Sequence, residues 1–168
     1  PAQLSVEELL YAVTLTNDNA EKKAIYQKAG ELFNDYRAYN GLGQVYFEEG
    51  NIAEARRNFA KALELNPNNP DLNYNAGVAA MADGDLEKAE EFLGKAGGTK
   101  ANLDAALGTL YTQKGDYEAA KKAYGNTATN NAAAQQILDE EYDAAAKTLD
   151  AVKEPNATTA YLKAIVGA

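Results

Sequence analysis

Residues 36–69 read YRAYNGLGQVYFEEGNIAEARRNFAKALELNPNN, and this stretch indicates the architecture of the whole chain. On either side of Gly50, apolar and small residues recur at intervals of three and four, which is the pattern of two amphipathic helices. A similar pattern returns in residues 70–100 and again in residues 101–125. Because a recurring helical pair buries its apolar face only against its neighbours, we interpret the chain as a stacked array of repeats.

The glycine between the two halves of each repeat could belong to a phosphate loop, a calcium loop or a turn. Gly50, Gly84 and Gly115 occupy the same position in three repeats, and Asn or Asp follows each of them. No G-x-x-x-x-G-K-[ST] stretch occurs, and the acids around Gly84 lack the twelve-residue calcium loop. We therefore predict that each glycine ends one helix in a left-handed conformation and that the following Asn or Asp caps the next helix.

One 34-residue register relates these repeats to a known family. Within residues 36–69 the positions 4, 7, 8, 11, 20, 24, 27 and 32 carry Tyr39, Leu42, Gly43, Tyr46, Ala55, Phe59, Ala62 and Pro67. In this register the chain resembles the tetratricopeptide repeat, with its W-x2-L-G-x2-Y, A-x3-F and P signature. The resemblance implies an all-α fold, a right-handed α-solenoid of antiparallel helix pairs.

The same register divides the chain into a series of repeats. We predict a single solenoid over residues 1–168, with repeats at about 3–35, 36–69, 70–100, 101–125 and 126–156 and a partial repeat at 157–168. Residue 101 follows residue 70 by 31 positions, and we assign that shortening to the link between repeats. Tyr142 follows its counterpart Tyr117 by only 25 positions, which predicts a short helix over about residues 131–138.

Composition limits the chemistry available to the chain. Cysteine and histidine are absent and Ser5 is the single serine, so there is no Ser–His or Cys–His nucleophile and no imidazole ligand. We predict no catalytic residue, no metal and no cofactor. The net charge of −9 disfavours nucleic acid and anionic lipid as partners. No apolar run approaches the ~20 residues that cross a bilayer, so we predict no direct membrane insertion.

The resemblance implies that five positions of each first helix, namely 2, 5, 9, 12 and 13, face a concave groove that binds a protein or peptide. With Asn75 at its edge, the candidate groove comprises Arg37, Asn40, Gln44, Phe47, Asp71, Tyr74, Asn75, Met81, Asn102, Thr109, Thr112 and Gln113. This set is rich in amides and hydroxyls, and Phe47, Tyr74 and Met81 add an apolar patch. It suits hydrogen bonding to a peptide backbone beside one side-chain pocket. The alternative is that these side chains form solvated helix faces.

One subclass of the family is disfavoured by the groove residues. Members that grip a C-terminal carboxylate use Lys, Asn and Arg at set groove positions. Here Asn40, Gln44, Asn102 and Ala106 stand at four of those positions, and Asn75 alone matches. Because the cations are missing, we do not expect this groove to hold a terminal carboxylate.

The leading interpretation is a non-catalytic scaffold or adaptor that binds a protein or peptide in the groove. The first alternative is a structural spacer within a larger, envelope-associated protein, since the chain begins with Pro1 and the apolar segment 157–168 has no following helix. The acidic, cysteine-free composition looks like bacterial envelope members of the family, so we favour the periplasm or cell envelope over the cytoplasm.

The second alternative is an enzyme that uses a pair of carboxylates, for instance on a glycan. Adjacent acids such as Glu48 and Glu49 lie about 100° apart around a helix and do not converge on one substrate. Such an enzyme would need two acids that the fold brings together.

Overall fold

The computed structural model describes residues 4–97, 100–123, 126–150, 152 and 157–167. Helices joined by short turns make up these ranges, and no strand occurs in them. The chain forms two compact units, Pro1–Gly97 and Gly98–Ala168, called here the N-terminal and C-terminal units. The all-α fold class is therefore as predicted.

The helices follow one another in pairs that pack together within each unit. In the N-terminal unit they are α1 (Val6–Val13), α2 (Asn19–Phe33), α3 (Tyr36–Glu48), α4 (Ile52–Leu65), α5 (Pro70–Ala82) and α6 (Leu86–Gly94). In the C-terminal unit they are α7 (Lys100–Lys114), α8 (Tyr117–Ala123), α9 (Asn126–Leu138), α10 (Tyr142–Asp150) and α11 (Ala157–Val166).

The turn between the two helices of a repeat has the predicted left-handed glycine. The φ angles of Gly50, Gly84 and Gly115 are 79°, 80° and 78°, and a Cβ placed on any of them would meet nothing within 4 Å. The residue after each glycine caps the next helix: Asn51, for example, accepts a hydrogen bond from the Glu54 N–H at 3.3 Å. In the repeat that contains α9 and α10, Glu140 takes the equivalent place, with a φ of 61°.

Large side chains of second helices sit on glycines of first helices in the N-terminal unit. A Cβ added to Gly43 of α3 would lie 2.5 Å from the Phe59 ring of α4. A Cβ on Gly77 of α5 would lie 2.8 Å from Leu93 Cγ of α6. The small residue at position 8 is therefore required chiefly by the side chain at position 24 of the same repeat.

An ion-pair network links the second helix of one repeat to the next repeat. Arg56 of α4 donates from Nη1 to Asp83 at 2.7 Å and from Nη2 to Asp85 at 2.9 Å, and both aspartates lie in the turn between α5 and α6. The hydrogen bond from Arg56 is the main cause that lowers the pKa of Asp85. The contact therefore joins α4 to the turn between the two helices of the following repeat.

The C-terminal unit has a core of small aliphatic residues interrupted by buried polar pairs. Ala133, Leu149 and Leu162 form the apolar cluster where α9, α10 and α11 meet. Between α11 and α9, the fully buried Thr159 hydroxyl donates to Asn130 Oδ1 at 2.9 Å. Thr148 of α10 likewise donates to the buried Gln136 of α9 at 2.7 Å. Hydrogen bonds satisfy these polar groups, as burial requires.

The two predictions about shortened spacing were wrong about where the residues are lost. The helix before Tyr142 is α9, which has 13 residues and is not short. The first helices α3, α5 and α7 have 13, 13 and 15 residues, whereas the second helices α4, α6 and α8 have 14, 9 and 7. The shortening therefore falls on the second helices. Glycine is a poor helix former, and Gly94 ends α6 where α4 continues for another turn.

Candidate functional site

A pocket of about 260 Å³ opens in the N-terminal unit at the first helices of two successive repeats, α3 and α5. Its lining consists of Gln44, Phe47 and Glu48 from α3, Phe59 from α4, and Tyr74, Asn75 and Val78 from α5. The volume lies just below the ~300–1,000 Å³ typical of small-molecule sites. It suits a side chain or two of a larger molecule.

Helical spacing explains why these side chains converge. Phe47 and Glu48 follow Gln44 by three and four residues, so both lie next to Gln44 on one face of α3. On α5, Tyr74 and Val78 are four residues apart and face the same side. Phe59 is 2% exposed and forms the floor, since its ring lies against Gly43 and reaches beneath α3.

Four predicted groove residues therefore meet in the pocket: Gln44, Phe47, Tyr74 and Asn75. Glu48 and Val78 occupy positions 13 and 9 of the register, so the register points to them as well. The register placed Phe59 at position 24 of its repeat, and only the packing of α4 beneath α3 shows that this side chain forms the floor of a pocket.

An amide pair joins α3 to α5 next to the pocket. Asn75 Nδ2 donates to Asn40 Oδ1 at 2.8 Å. Among the described residues, Asn40 Nδ2 and Asn75 Oδ1 form no hydrogen bond. Whichever way the two amides are turned, the pair offers one donor group and one acceptor to another molecule. A peptide backbone presents the complementary groups.

The predicted groove cation, Arg37, is held by carboxylates of the chain itself. Its Nη2 donates to Glu7 at 2.7 Å and to Asp35 at 2.9 Å, and its Nε donates to the second Asp35 oxygen at 3.1 Å. These hydrogen bonds raise the pKa of Arg37, with Asp35 the larger contributor, and lower the pKa of Asp35. Because two acids compensate its charge, Arg37 adds little positive potential to the groove.

The acid at the pocket has no such compensation. Within the described part of the chain, Glu48 forms no ion pair, whereas the neighbouring Glu49 pairs with Lys23 Nζ at 2.7 Å. The same lysine lies 5.0 Å from the centre of the Tyr46 ring. Burial raises the pKa of the Tyr26 phenol, and the negative charge of Glu48 raises it further. The pocket therefore carries an exposed negative charge at one side.

Two more predicted groove residues of the N-terminal unit lie on α5 outside the pocket lining. Asp71 is exposed in the first turn of α5. Met81 is half-buried near the end of the same helix. Of the predicted apolar patch, Phe47 and Tyr74 line the pocket and Met81 does not.

The remaining predicted groove residues, Asn102, Thr109, Thr112 and Gln113, lie on α7 in the C-terminal unit. Asn102, Thr109 and Gln113 are exposed, and Thr112 is half-buried. The hydroxyls of Thr109 and Thr112 donate to backbone carbonyls of their own helix at 2.9 and 2.8 Å. Both threonines therefore use their donors locally.

The geometry of the acidic side chains and of the helices bears on metal and membrane binding. Within the described ranges, no group of three or more acidic side chains is arranged to hold a metal ion. None of the described helices is both long and apolar enough to cross a membrane.

Family models and curated sequences that match the chain contain tetratricopeptide repeats. Residues 46–113 and 105–125 match models of the tetratricopeptide repeat. A TPR repeat-containing thioredoxin of Arabidopsis thaliana, TTL4, is 32% identical over 98 residues, which are 56% of this chain and 14% of the relative. The chain thus spans about 14% of the length of the curated relatives that it matches.

Solved structures share the fold at low sequence identity. A tetratricopeptide repeat protein of Parabacteroides merdae superposes with a TM-score of 0.69 at 14% identity, covering 96% of this chain and 70% of the other. YrrB, described as a TPR protein with an unusual peptide-binding site, superposes with a TM-score of 0.52 at 20% identity, covering 95% and 100%. These structural matches confirm the helical solenoid fold predicted from the sequence. The two family-model matches support the resemblance to the tetratricopeptide repeat.

Proposed function

We propose that the chain is a tetratricopeptide repeat protein that acts as a non-catalytic scaffold or adaptor and binds a protein or peptide segment along α3 and α5. The observation that carries this proposal is the pocket of about 260 Å³, in which four residues of the predicted groove come together. The fold supports such binding in general, and the pocket supports this particular location for it.

The pocket lining supports recognition of a side chain. Phe47 and Tyr74 are half-buried and contribute aromatic surface, and the buried Phe59 closes the floor. Aromatic residues dominate the energetics of protein interfaces because they bury much apolar area with few rotatable bonds. A partner side chain inserted here would bury its apolar surface against both helices.

The Asn40–Asn75 pair supports recognition of a backbone. Its donor and acceptor lie beside the pocket, since Asn75 itself is part of the lining. A pocket next to such a pair matches the general mode in which main-chain hydrogen bonds provide affinity and a side-chain pocket provides specificity. The peptide-binding site described for YrrB is compatible with this use of the fold.

The catalytic alternative has less support. Glycoside hydrolysis uses two carboxyl groups that flank the scissile bond. One carboxylate, that of Glu48, stands among the residues that line the pocket. The chain also lacks histidine and cysteine, the side chains that most often serve as base and nucleophile near neutral pH.

A selection from a random peptide library tests the proposal. The immobilised chain selects from a random peptide library, beside a Phe47→Ala/Tyr74→Ala variant and a control, Tyr11→Ala/Tyr161→Ala. The control removes two exposed tyrosines, 65% and 67% exposed, that lie outside the pocket. We expect the wild type and the control to enrich the same peptides and the pocket variant to lose them.

Two results would contradict the proposal. Equal enrichment by the pocket variant would place binding elsewhere on the chain. A complete lack of enrichment by the wild type would favour the alternative in which the array acts as a spacer. Circular dichroism of all variants shows whether the helices are retained.

A further inference from the structure

Resting on the proposed function, we infer that the preferred partner segment carries a Lys or Arg next to an aromatic or branched aliphatic side chain. The apolar side chain occupies the pocket between Phe47 and Tyr74, and the cation pairs with Glu48.

The pocket has an apolar interior and an acidic edge. Phe47, Phe59, Tyr74 and Val78 supply its apolar surface, and Glu48 is the charged member of the lining. An isolated apolar side chain would leave the Glu48 carboxylate facing solvent or uncharged groups. A cation within one or two residues of that side chain reaches the carboxylate and gains a charge-assisted hydrogen bond.

The basic residues on and next to α3 do not compete for this carboxylate. Arg37 is held by Glu7 and Asp35, and Lys23 is held by Glu49 at 2.7 Å. Glu48 has no ion pair among the described residues. Its charge is therefore available to a partner, in contrast to the charge of its neighbour Glu49.

The net charge of the chain also favours a basic partner segment. The chain has 25 acidic and 16 basic residues, for a net charge of −9, so it attracts cationic segments during the encounter and repels acidic ones. An acidic partner or a free C-terminal carboxylate would have to approach Glu48 without a compensating cation. Charge complementarity therefore favours a partner segment that contains a basic residue beside its apolar one.

Glu48→Gln is the variant that separates this inference from the proposed function. It removes the charge and retains the size of the side chain, so the apolar pocket stays in place. Glu31→Gln is the matched control, since Glu31 is an exposed acid on α2 outside the pocket lining. The probe is the same random peptide library, with every peptide blocked at both ends to remove terminal charges.

The wild type and Glu31→Gln are expected to enrich peptides in which Lys or Arg lies within two residues of an aromatic or branched aliphatic residue. Glu48→Gln is expected to retain the apolar preference and lose the basic one. For a synthetic peptide from the enriched set, Glu48→Gln should weaken the Kd about fivefold in calorimetry, and added salt should narrow the difference.

The outcomes for the pocket variant and for Glu48→Gln separate general peptide binding from the preference for a cation. If Phe47→Ala/Tyr74→Ala leaves enrichment unchanged, or if the wild type enriches nothing, the proposed function fails and the inference falls with it. If enrichment depends on Phe47 and Tyr74 but shows no basic preference, or if Glu48→Gln keeps that preference, the inference alone is overturned.

Discussion

The two compact units are built from similar helix pairs but fill their interiors in different ways. In the N-terminal unit a large side chain covers a glycine, as Phe59 covers Gly43. In the C-terminal unit a buried hydroxyl and a buried amide meet, as Thr159 and Asn130 do. The first arrangement depends on volume, and the second depends on hydrogen-bond geometry. One helical pattern therefore accommodates two kinds of core, which should respond to different substitutions.

The largest effect is expected from deleting a buried leucine in either unit. Leu93 is 2% exposed and Leu149 is fully buried, so Leu93→Ala and Leu149→Ala should each lower the free energy of unfolding by about 2–5 kcal/mol. Urea unfolding followed by circular dichroism measures both losses. Costs below about 1 kcal/mol in one unit would show that its core collapses around the cavity.

The packing of Phe59 on Gly43 should be broken by a single methyl group. A Cβ at residue 43 would lie 2.5 Å from the ring, so Gly43→Ala should cost about 1–3 kcal/mol despite the better helix propensity of alanine. Gly94→Ala is the control, because a Cβ there meets nothing within 4 Å. Adding Phe59→Leu should recover part of the loss in a double-mutant cycle, and strict additivity would refute the contact.

The buried polar pair should be sensitive to loss of the hydroxyl without loss of volume. Thr159→Val keeps the shape but removes the donor to Asn130, so it should cost about 1–3 kcal/mol. The exposed neighbour provides the control, since Thr158→Val should change stability by no more than about 0.5 kcal/mol. Equal effects of the two changes on the unfolding midpoint would argue against a structural role for the pair.

The smallest effect should be a gain in stability. It is expected at the turn between α9 and α10, where a residue other than glycine has a positive φ. Glu140 has a φ of 61°, at a place where the other turns have glycine. Glu140→Gly should stabilise the chain by about 0.5–1 kcal/mol, because relief of strain exceeds the entropy that glycine adds to the unfolded state. Gly84→Ala should act in the opposite direction. A lower melting temperature for Glu140→Gly would contradict this account.

Local features of the fold followed from the sequence because local chemistry determines them. The left-handed glycines and their caps were predicted from residues adjacent in the chain, and Gly50 with Asn51 confirms that reasoning. Helix lengths were predicted less well. A register shows that residues are missing from a repeat, but it does not show which helix loses them, and α9 kept 13 residues where a short helix was expected.

The candidate site was predictable in its side-chain positions and not in its electrostatics. The register placed Phe47 and Tyr74 on one surface. It could not show that Glu7, thirty residues away along the chain, compensates Arg37, because such a contact depends on where α1 lies relative to α3. The twelve-residue groove as a whole, the repeat boundaries and the bacterial envelope location stay predictions.

The open turn at Gly50 should tolerate inserted residues. Nothing lies within 4 Å of the place where its side chain would be, so inserted residues would extend into solvent. Closing a longer loop costs only about 0.6 kcal/mol for each doubling of its length. An epitope or an entire domain could therefore be inserted after a first helix while α3 and α5 keep their register.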